Sequence, residues 1–156
     1  MIVRPATAGD AASMAEVLNA IIAAGGTTAH QHPMTDADLR THYIDGPGVE
    51  TCLLAEAAGQ VIGWQSLGEW QGEPHIGTFV RIGTQARGIG AALFDATCAA
   101  ARARGLTRII AHIRADNAPG LAYYARIGFH DIGGDPGFAL EDGRVVGRVF
   151  RRFDLV

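Results

Sequence analysis

Apolar residues recur along this chain in two rhythms, one of period two and one near 3.6, and the switches between them mark the predicted elements. Residues 1–4 predict a first strand. Thr7-Ala8-Gly9-Asp10 reads as a capping box, in which the hydroxyl and the carboxylate three residues on serve early N–H groups. It predicts a helix to about Ala24, because Met14, Val17, Leu18, Ile21 and Ile22 return on one face, and Gly25-Gly26 ends it. Thr35-Asp36-Ala37-Asp38 predicts another helix start, carrying Leu39, Tyr43 and Ile44 up to the break at Gly46-Pro47-Gly48. Two strands follow over 51–56 and 61–68, joined as a hairpin by residues 57–60. A third strand over 75–82 leads through a glycine loop into an Ala-rich helix over about 91–104 anchored by Leu93 and Phe94. The rest reads as a strand at 108–113, a short helix holding Tyr124, a strand at 129–132, a turn through 133–137 and a last strand near 145–154. This order predicts a single α/β domain over 1–156, one layer of sheet with helices on both faces.

Composition narrows the class. Apolar residues at 48% and charged residues at 19% describe a folded chain rather than a disordered one, and 156 residues suffice for one sizeable core. A net charge of −3 gives no electrostatic case for nucleic acid or an anionic membrane. No apolar run approaches the ~20 residues that cross a bilayer. Cys52 and Cys98 form no C-x-x-C pair and flank no His, which fits reduced thiols of an intracellular protein and gives no metal site. The strand-like Ile2-Val3-Arg4 at the very start predicts no targeting peptide and a cytoplasmic location.

The chemistry concentrates at Gln85-Ala86-Arg87-Gly88-Ile89-Gly90. A strand, a glycine loop and a helix in that order aim free N–H groups and a positive helix end at one point, which suits a phosphate or pyrophosphate. Gly88 and Gly90 open backbone angles closed to other residues and let a ligand approach the main chain. An ordinary strand-to-helix turn with two glycines is the other reading of this loop alone. Further on the chain reads Asn117-Ala118-Pro119-Gly120-Leu121-Ala122-Tyr123-Tyr124-Ala125-Arg126-Ile127-Gly128-Phe129.

Together, Q-x-x-G-x-G followed by N-x-x-G-x-x-x-Y-x-x-x-G-F resembles the GNAT superfamily of acyl-CoA N-acyltransferases, strongly over 76–129 and more loosely before it. The resemblance implies a mixed, mostly antiparallel sheet that splays between its fourth and fifth strands, where main-chain groups meet the pantetheine arm of acetyl-CoA. It implies cofactor contacts at Val80, Ile82, Gln85, Arg87, Gly88, Ile89, Gly90 and Ala91, with Asn117 near the pantetheine and Tyr124 near the thiol. Tyr124 is then the general acid, since a phenol of pKa about 10 is matched to a departing thiolate. Tyr123 points about 100° away around a helix and reads as structural. Asn117 also suits a helix N-cap.

Removal of the amine proton has three candidates: His75 on the strand before the glycine loop, Glu73 two residues upstream, and bulk water. Ile2-Val3-Arg4-Pro5-Ala6-Thr7 and Gly26-Thr27-Thr28-Ala29 look like the phosphinothricin acetyltransferase branch, in which a Glu stands where His75 does here. The chain departs from that branch elsewhere. Gly120 replaces a usual Ala, and residues 67–72 lack the Arg and Tyr that the branch places between its third and fourth strands. Thr28, His30, His32, Trp64, Trp70 and Glu73 are the candidate substrate contacts, and irregular spacing argues against His30, His32 and His42 binding metal. The expected activity is acetyl transfer from acetyl-CoA to the primary amine of a small molecule such as an amino acid. Acetylation of a protein N-terminus or lysine, and a non-catalytic acyl-CoA sensor, are the alternatives. A Rossmann reading fails because its glycines should follow the first strand. A homodimer is expected from the resemblance and from Val145, Val146 and Val149 on a late strand taken as an edge.

Overall fold

The structure, a computed structural model, describes residues 1–84 and 87–156. Seven strands form one sheet in the order β1-β2-β3-β4-β5-β7-β6. They are β1 (Ile2–Pro5), β2 (Val49–Ala57), β3 (Gln60–Trp70), β4 (Glu73–Val80), β5 (Arg108–Arg114), β6 (His130–Asp135) and β7 (Arg148–Asp154). Helices α1 (Ala11–Ala24) and α2 (Asp36–Leu39) cover one face, and α3 (Ile89–Ala103) and α4 (Ala118–Arg126) cover the other. All neighbours are antiparallel except β4 and β5, which run parallel and meet at one register position, His75 opposite Ile110. Past that position they part, and this is the expected splay.

Cross-strand register builds the core. Leu54, Trp64 and Phe79 stand opposite one another on β2, β3 and β4, and their face receives Met14, Val17 and Leu18 from the apolar stripe of α1. On the other face Ile89 and Leu93 of α3 pack against Leu53 and Ile62. Because helices cover both sides, β3 is buried from Val61 to Leu67 without alternation, as a doubly covered strand should be. Among the described residues no helix is long and apolar enough to cross a membrane.

Several boundaries differ from the sequence reading for local reasons. β4 begins and ends two residues earlier than 75–82. Gln71 (φ 52) and Gly72 (φ 80) make a two-residue turn that pairs Trp70 with Glu73 and extends the hairpin outward. The capping box at Thr7 and Asp10 forms, with Asp10 Oδ2 accepting from the Thr7 N–H at 2.8 Å, but it caps a 3₁₀ turn that precedes α1. Gly133, Gly134 and Asp135 are strand rather than turn, following a bulge after Asp131. A Cβ on Gly134 would stand 2.8 Å from the Arg148 carbonyl, so glycine lets β6 lie this close to β7. β7 starts at Arg148 and lies between β5 and β6, so it is not an edge. The edges are β1 and β6, and Val145 joins only an isolated bridge to Ala139.

Candidate active site

Where β4 and β5 part, a cleft of about 790 Å³ opens. Gly77, Thr78 and Val80 line it from β4, His112 and Ile113 from β5, and Tyr124 from α4. One end is formed by Gly88, Ile89, Gly90 and Ala91 at the start of α3. Gly88 caps this helix in the left-handed region at φ 75, which favours glycine, and among the described residues beyond its chain neighbours no heavy atom lies within 4 Å of where its Cβ would stand. The first bond within the helix runs from the Ala92 N–H to the Gly88 carbonyl at 2.9 Å. The amides of Ile89, Gly90 and Ala91 precede it, so they carry the partial positive charge of the helix end into the cleft. An anion fits there.

Gly90 answers a different demand. A Cβ on it would lie 2.6 Å from Cε1 of Tyr123, so the side chain it must lack makes room for that ring. The Tyr123 hydroxyl donates to the Gly90 carbonyl at 2.8 Å and accepts from Gln65 Nε2 at 3.1 Å. Gln65 Nε2 also reaches Thr78 Oγ1 at 2.9 Å, and Thr78 Oγ1 lies 2.8 Å from Tyr124 Oη. Tyr124 itself is buried among Phe94, Cys98 and Phe129. Burial pushes its phenol well above the usual tyrosine range, and the Thr78 hydroxyl opposes the shift.

The opposite end of the cleft is aromatic and is roofed by the loop between α1 and α2. Arg114 Nη1 donates to the Thr28 carbonyl at 3.0 Å, Asn117 Nδ2 donates to the Thr27 carbonyl at 3.0 Å, and Gln31 Oε1 accepts from the Glu141 N–H at 2.8 Å. Asn117 Oδ1 at the same time accepts from the Gly120 N–H at 3.0 Å and caps α4. A Cβ on Gly120 would stand 2.3 Å from Asn117 Nδ2, so glycine at that position admits the rotamer that holds the loop. His30 bonds to the Tyr43 hydroxyl, and both line the cleft. Burial, with His42 adding to it, lowers the His30 pKa.

His112 was not singled out from sequence, and it forms the β5 wall of the cleft. Its ring stacks on Phe150 at 4.0 Å and meets His75 edge-on at 4.6 Å. Burial lowers it to about 4, with His75 and Arg148 pushing the same way. Burial also lowers His75, against the pull of Glu73 and Glu69.

Of the residues singled out from sequence, Val80, Ile82, Gly88, Ile89, Gly90, Ala91, Asn117, Tyr124, Thr28 and His30 border the cleft. His75 does not; it meets His112 edge-on outside the cleft lining, and Trp70 packs against both rings. Glu73 faces outward, paired with Arg108 at 2.6 Å. Trp64 has no exposed surface and donates to the Met14 carbonyl at 3.1 Å, so it is core rather than a pocket wall. His32 is exposed beside Glu141, Arg87 is exposed outside the cleft, and Gln85 lies outside the described residues. Thr78, Gln65 and Tyr123 were missed as site residues. The alternation of β4 puts Thr78 on the same face as Val80, which is the one signal the sequence held for it. Among the described residues no group of three His, Cys, Asp or Glu is placed to hold a metal ion.

The model of the acetyltransferase (GNAT) family matches residues 16–129. The L-methionine sulfoximine/L-methionine sulfone acetyltransferase of Pseudomonas paraeruginosa is 30% identical over 144 residues, covering 85% of this chain and 83% of the relative. A phosphinothricin acetyltransferase from Sinorhizobium meliloti, solved in complex with AcCoA, superposes with a TM-score of 0.85 at 23% identity, over 98% of this chain and 87% of its own. A ribosomal-protein-alanine N-acetyltransferase from Brucella melitensis has a TM-score of 0.83 at 23% identity, covering 99% of each chain.

Proposed function

The chain belongs to the GNAT acetyltransferase family, and from that premise we propose that it moves an acetyl group from acetyl-CoA to the primary amine of a small molecule, an amino acid or analogue. The observation that carries this reading is the buried Tyr124 hydroxyl at the fork of β4 and β5, between a helix N-terminus and an imidazole-lined end. The small acceptor is favoured by the loop that Arg114, Asn117 and the Gln31–Glu141 contact hold over that end. The relative that acetylates methionine sulfoximine points the same way.

Acetyl-CoA supplies a thioester carbonyl already activated toward amines. The amides of Ile89, Gly90 and Ala91 hold its pyrophosphate, and the edge of β4 left unpaired beyond His75 faces its pantetheine arm. Tyr124 Oη holds the proton that the departing sulfur needs. On the acceptor side, His112 stays neutral at pH 7 and lines the cleft, so it can take the proton that the amine nitrogen loses. His75 meets its ring edge-on, where burial lowers the His75 pKa as well, against the pull of Glu73 and Glu69. Each turnover thus takes one proton from nitrogen and gives one to sulfur.

A panel of amines assayed for acetyl-CoA-dependent thiol release tests both parts. Free amino acids and their analogues should turn over and peptide N-termini should not, and Tyr124→Phe should lower kcat by ~10²–10⁴ with acetyl-CoA affinity kept. Turnover confined to peptides would overturn the acceptor class, and a wild-type rate in Tyr124→Phe would overturn the acid.

A further inference from the structure

Tyr124 can act as an acid only if its proton faces the cleft rather than Thr78. The two hydroxyls are 2.8 Å apart, and either could donate to the other. The hydrogen bonds behind Thr78 decide between them. The Gly90 carbonyl only accepts, so Tyr123 commits its single proton to it at 2.8 Å. Gln65 then meets a Tyr123 oxygen that has only lone pairs left, so it must present its NH₂ there. Turning the amide over would set oxygen against oxygen. The second hydrogen of the same nitrogen goes to Thr78 Oγ1 at 2.9 Å. Thr78 now accepts on that side and keeps one hydrogen, for which Tyr124 Oη is the acceptor among the described residues; a Tyr124 that donated to Thr78 would leave that hydrogen unpaired. Among the described residues the Tyr124 proton is left without a partner, at the wall of the cleft.

We propose that Gly90, Tyr123, Gln65 and Thr78 form a one-way chain of hydrogen bonds that holds Tyr124 as a proton donor into the cleft and steadies the phenolate left after transfer. This rests on the reading of Tyr124 as the acid. Thr78, Gln65 and Tyr123 are positioning residues, since they act through Tyr124. Gln65 has no exposed surface, and its Oε1 has no partner among the described residues. Burying an idle carbonyl is costly, and an apolar side chain would fill the space without that cost. A donor that reaches two hydroxyls at once accounts for a glutamine here. The chain also starts from the first turn of α3, so the helix end that receives an anion and the orientation of the acid share one backbone segment.

The direct test is neutron diffraction from deuterated crystals of the unliganded protein, because hydrogens are not seen at ordinary X-ray resolution. Deuterium should lie on Tyr123 toward Gly90, on Gln65 toward Tyr123 and Thr78, and on Thr78 toward Tyr124. Deuterium on Tyr124 pointing at Thr78 overturns the proposal. The kinetic test uses Thr78→Val, Thr78→Ser and Tyr124→Phe, with folding and acetyl-CoA binding checked for each. Thr78→Val removes a hydrogen bond to a developing charge, so kcat should fall about 10- to 100-fold with KM for acetyl-CoA little changed. Thr78→Ser should restore it, and Thr78→Val should add nothing in the Tyr124→Phe background. A wild-type kcat in Thr78→Val beside a crippled Tyr124→Phe refutes the chain and spares the acid. A wild-type kcat in Tyr124→Phe refutes the acid itself. Should Thr78→Val fail to fold, the serine variant and the deuterium positions still decide.

Discussion

Replacing Gly90 by alanine should destabilise this protein, although alanine is the better helix former by about 1 kcal/mol. The new Cβ would stand 2.6, 3.2 and 3.3 Å from Cε1, Cζ and Cδ1 of Tyr123, so one edge of the ring must retreat by most of an ångström. The ring is not free to do so. It packs on Tyr124 with centroids 5.0 Å apart, and its hydroxyl is fastened to the Gly90 carbonyl and to Gln65. Overpacking of this kind costs about 1–3 kcal/mol, and each of the two hydrogen bonds contributes about 1 kcal/mol. Set against the helix gain, the net loss is about 2–4 kcal/mol. At about 2–4 °C per kcal/mol for a chain of this length, Tm should drop by roughly 4–16 °C. Calorimetry of Gly90→Ala reads this directly, and Tyr123→Leu in the same background should recover part of it by removing the far half of the ring. A Tm that rises by the few degrees expected from helix propensity alone would refute the packing argument.

Gly88→Val should weaken acetyl-CoA binding tenfold or more in a protein that still folds. Among the described residues its Cβ meets open space, and the left-handed backbone resists it, at about 1–2 kcal/mol; unchanged affinity by titration calorimetry would count against the α3 anion site. Asn117→Asp keeps the oxygen that caps α4 and loses the donor to Thr27, so Tm should hold within a few degrees while KM for the amine rises. An unchanged KM would separate the loop from acceptor binding. kcat/KM should rise with pH through an apparent pKa below the ordinary histidine value of about 6.5, because burial lowers both His75 and His112, and His112→Gln should remove that limb. A limb centred at pH 7 or above would place the deprotonation elsewhere. The unfolded chain binds protons on these imidazoles more readily than the folded one, so stability should fall as pH drops from about 6.5 toward 4, and less steeply in His112→Gln.

How much of this was legible in the sequence depends on how local the cause was. The strand and helix order could be read because Met14, Val17 and Leu18, or the turn at Ala58-Gly59, declare their roles within a few residues. The turn at Gln71-Gly72 has the same form, a non-glycine residue followed by a glycine with both at positive φ, but Pro74 just beyond it interrupts the strand pattern, and β4 was placed two residues late as a result. Trp64 could not be assigned from its own strand. Alternation says which residues share its face, but not that α1 seals that face and supplies the Met14 carbonyl to its indole.

The site divides along the same line. Tyr124 and the start of α3 were legible because their spacing is a motif within single segments. Gly90 carries a second demand that the sequence did not show: it borders the cleft as expected, and its missing Cβ also makes way for Tyr123 from 33 residues downstream. His75 was chosen by counting along β4, but the parallel pairing with β5 puts His112 on the cleft wall and His75 outside the lining, and one register position carries that difference. Thr78, Gln65 and Tyr123 lie on three elements, with Gln65 and Tyr123 separated by 58 positions, and none of them looks unusual where it stands. Their meaning comes from the direction of each hydrogen bond. That direction is set by the one group in the chain that cannot donate, a main-chain carbonyl that exists at every position and therefore leaves no mark in the sequence.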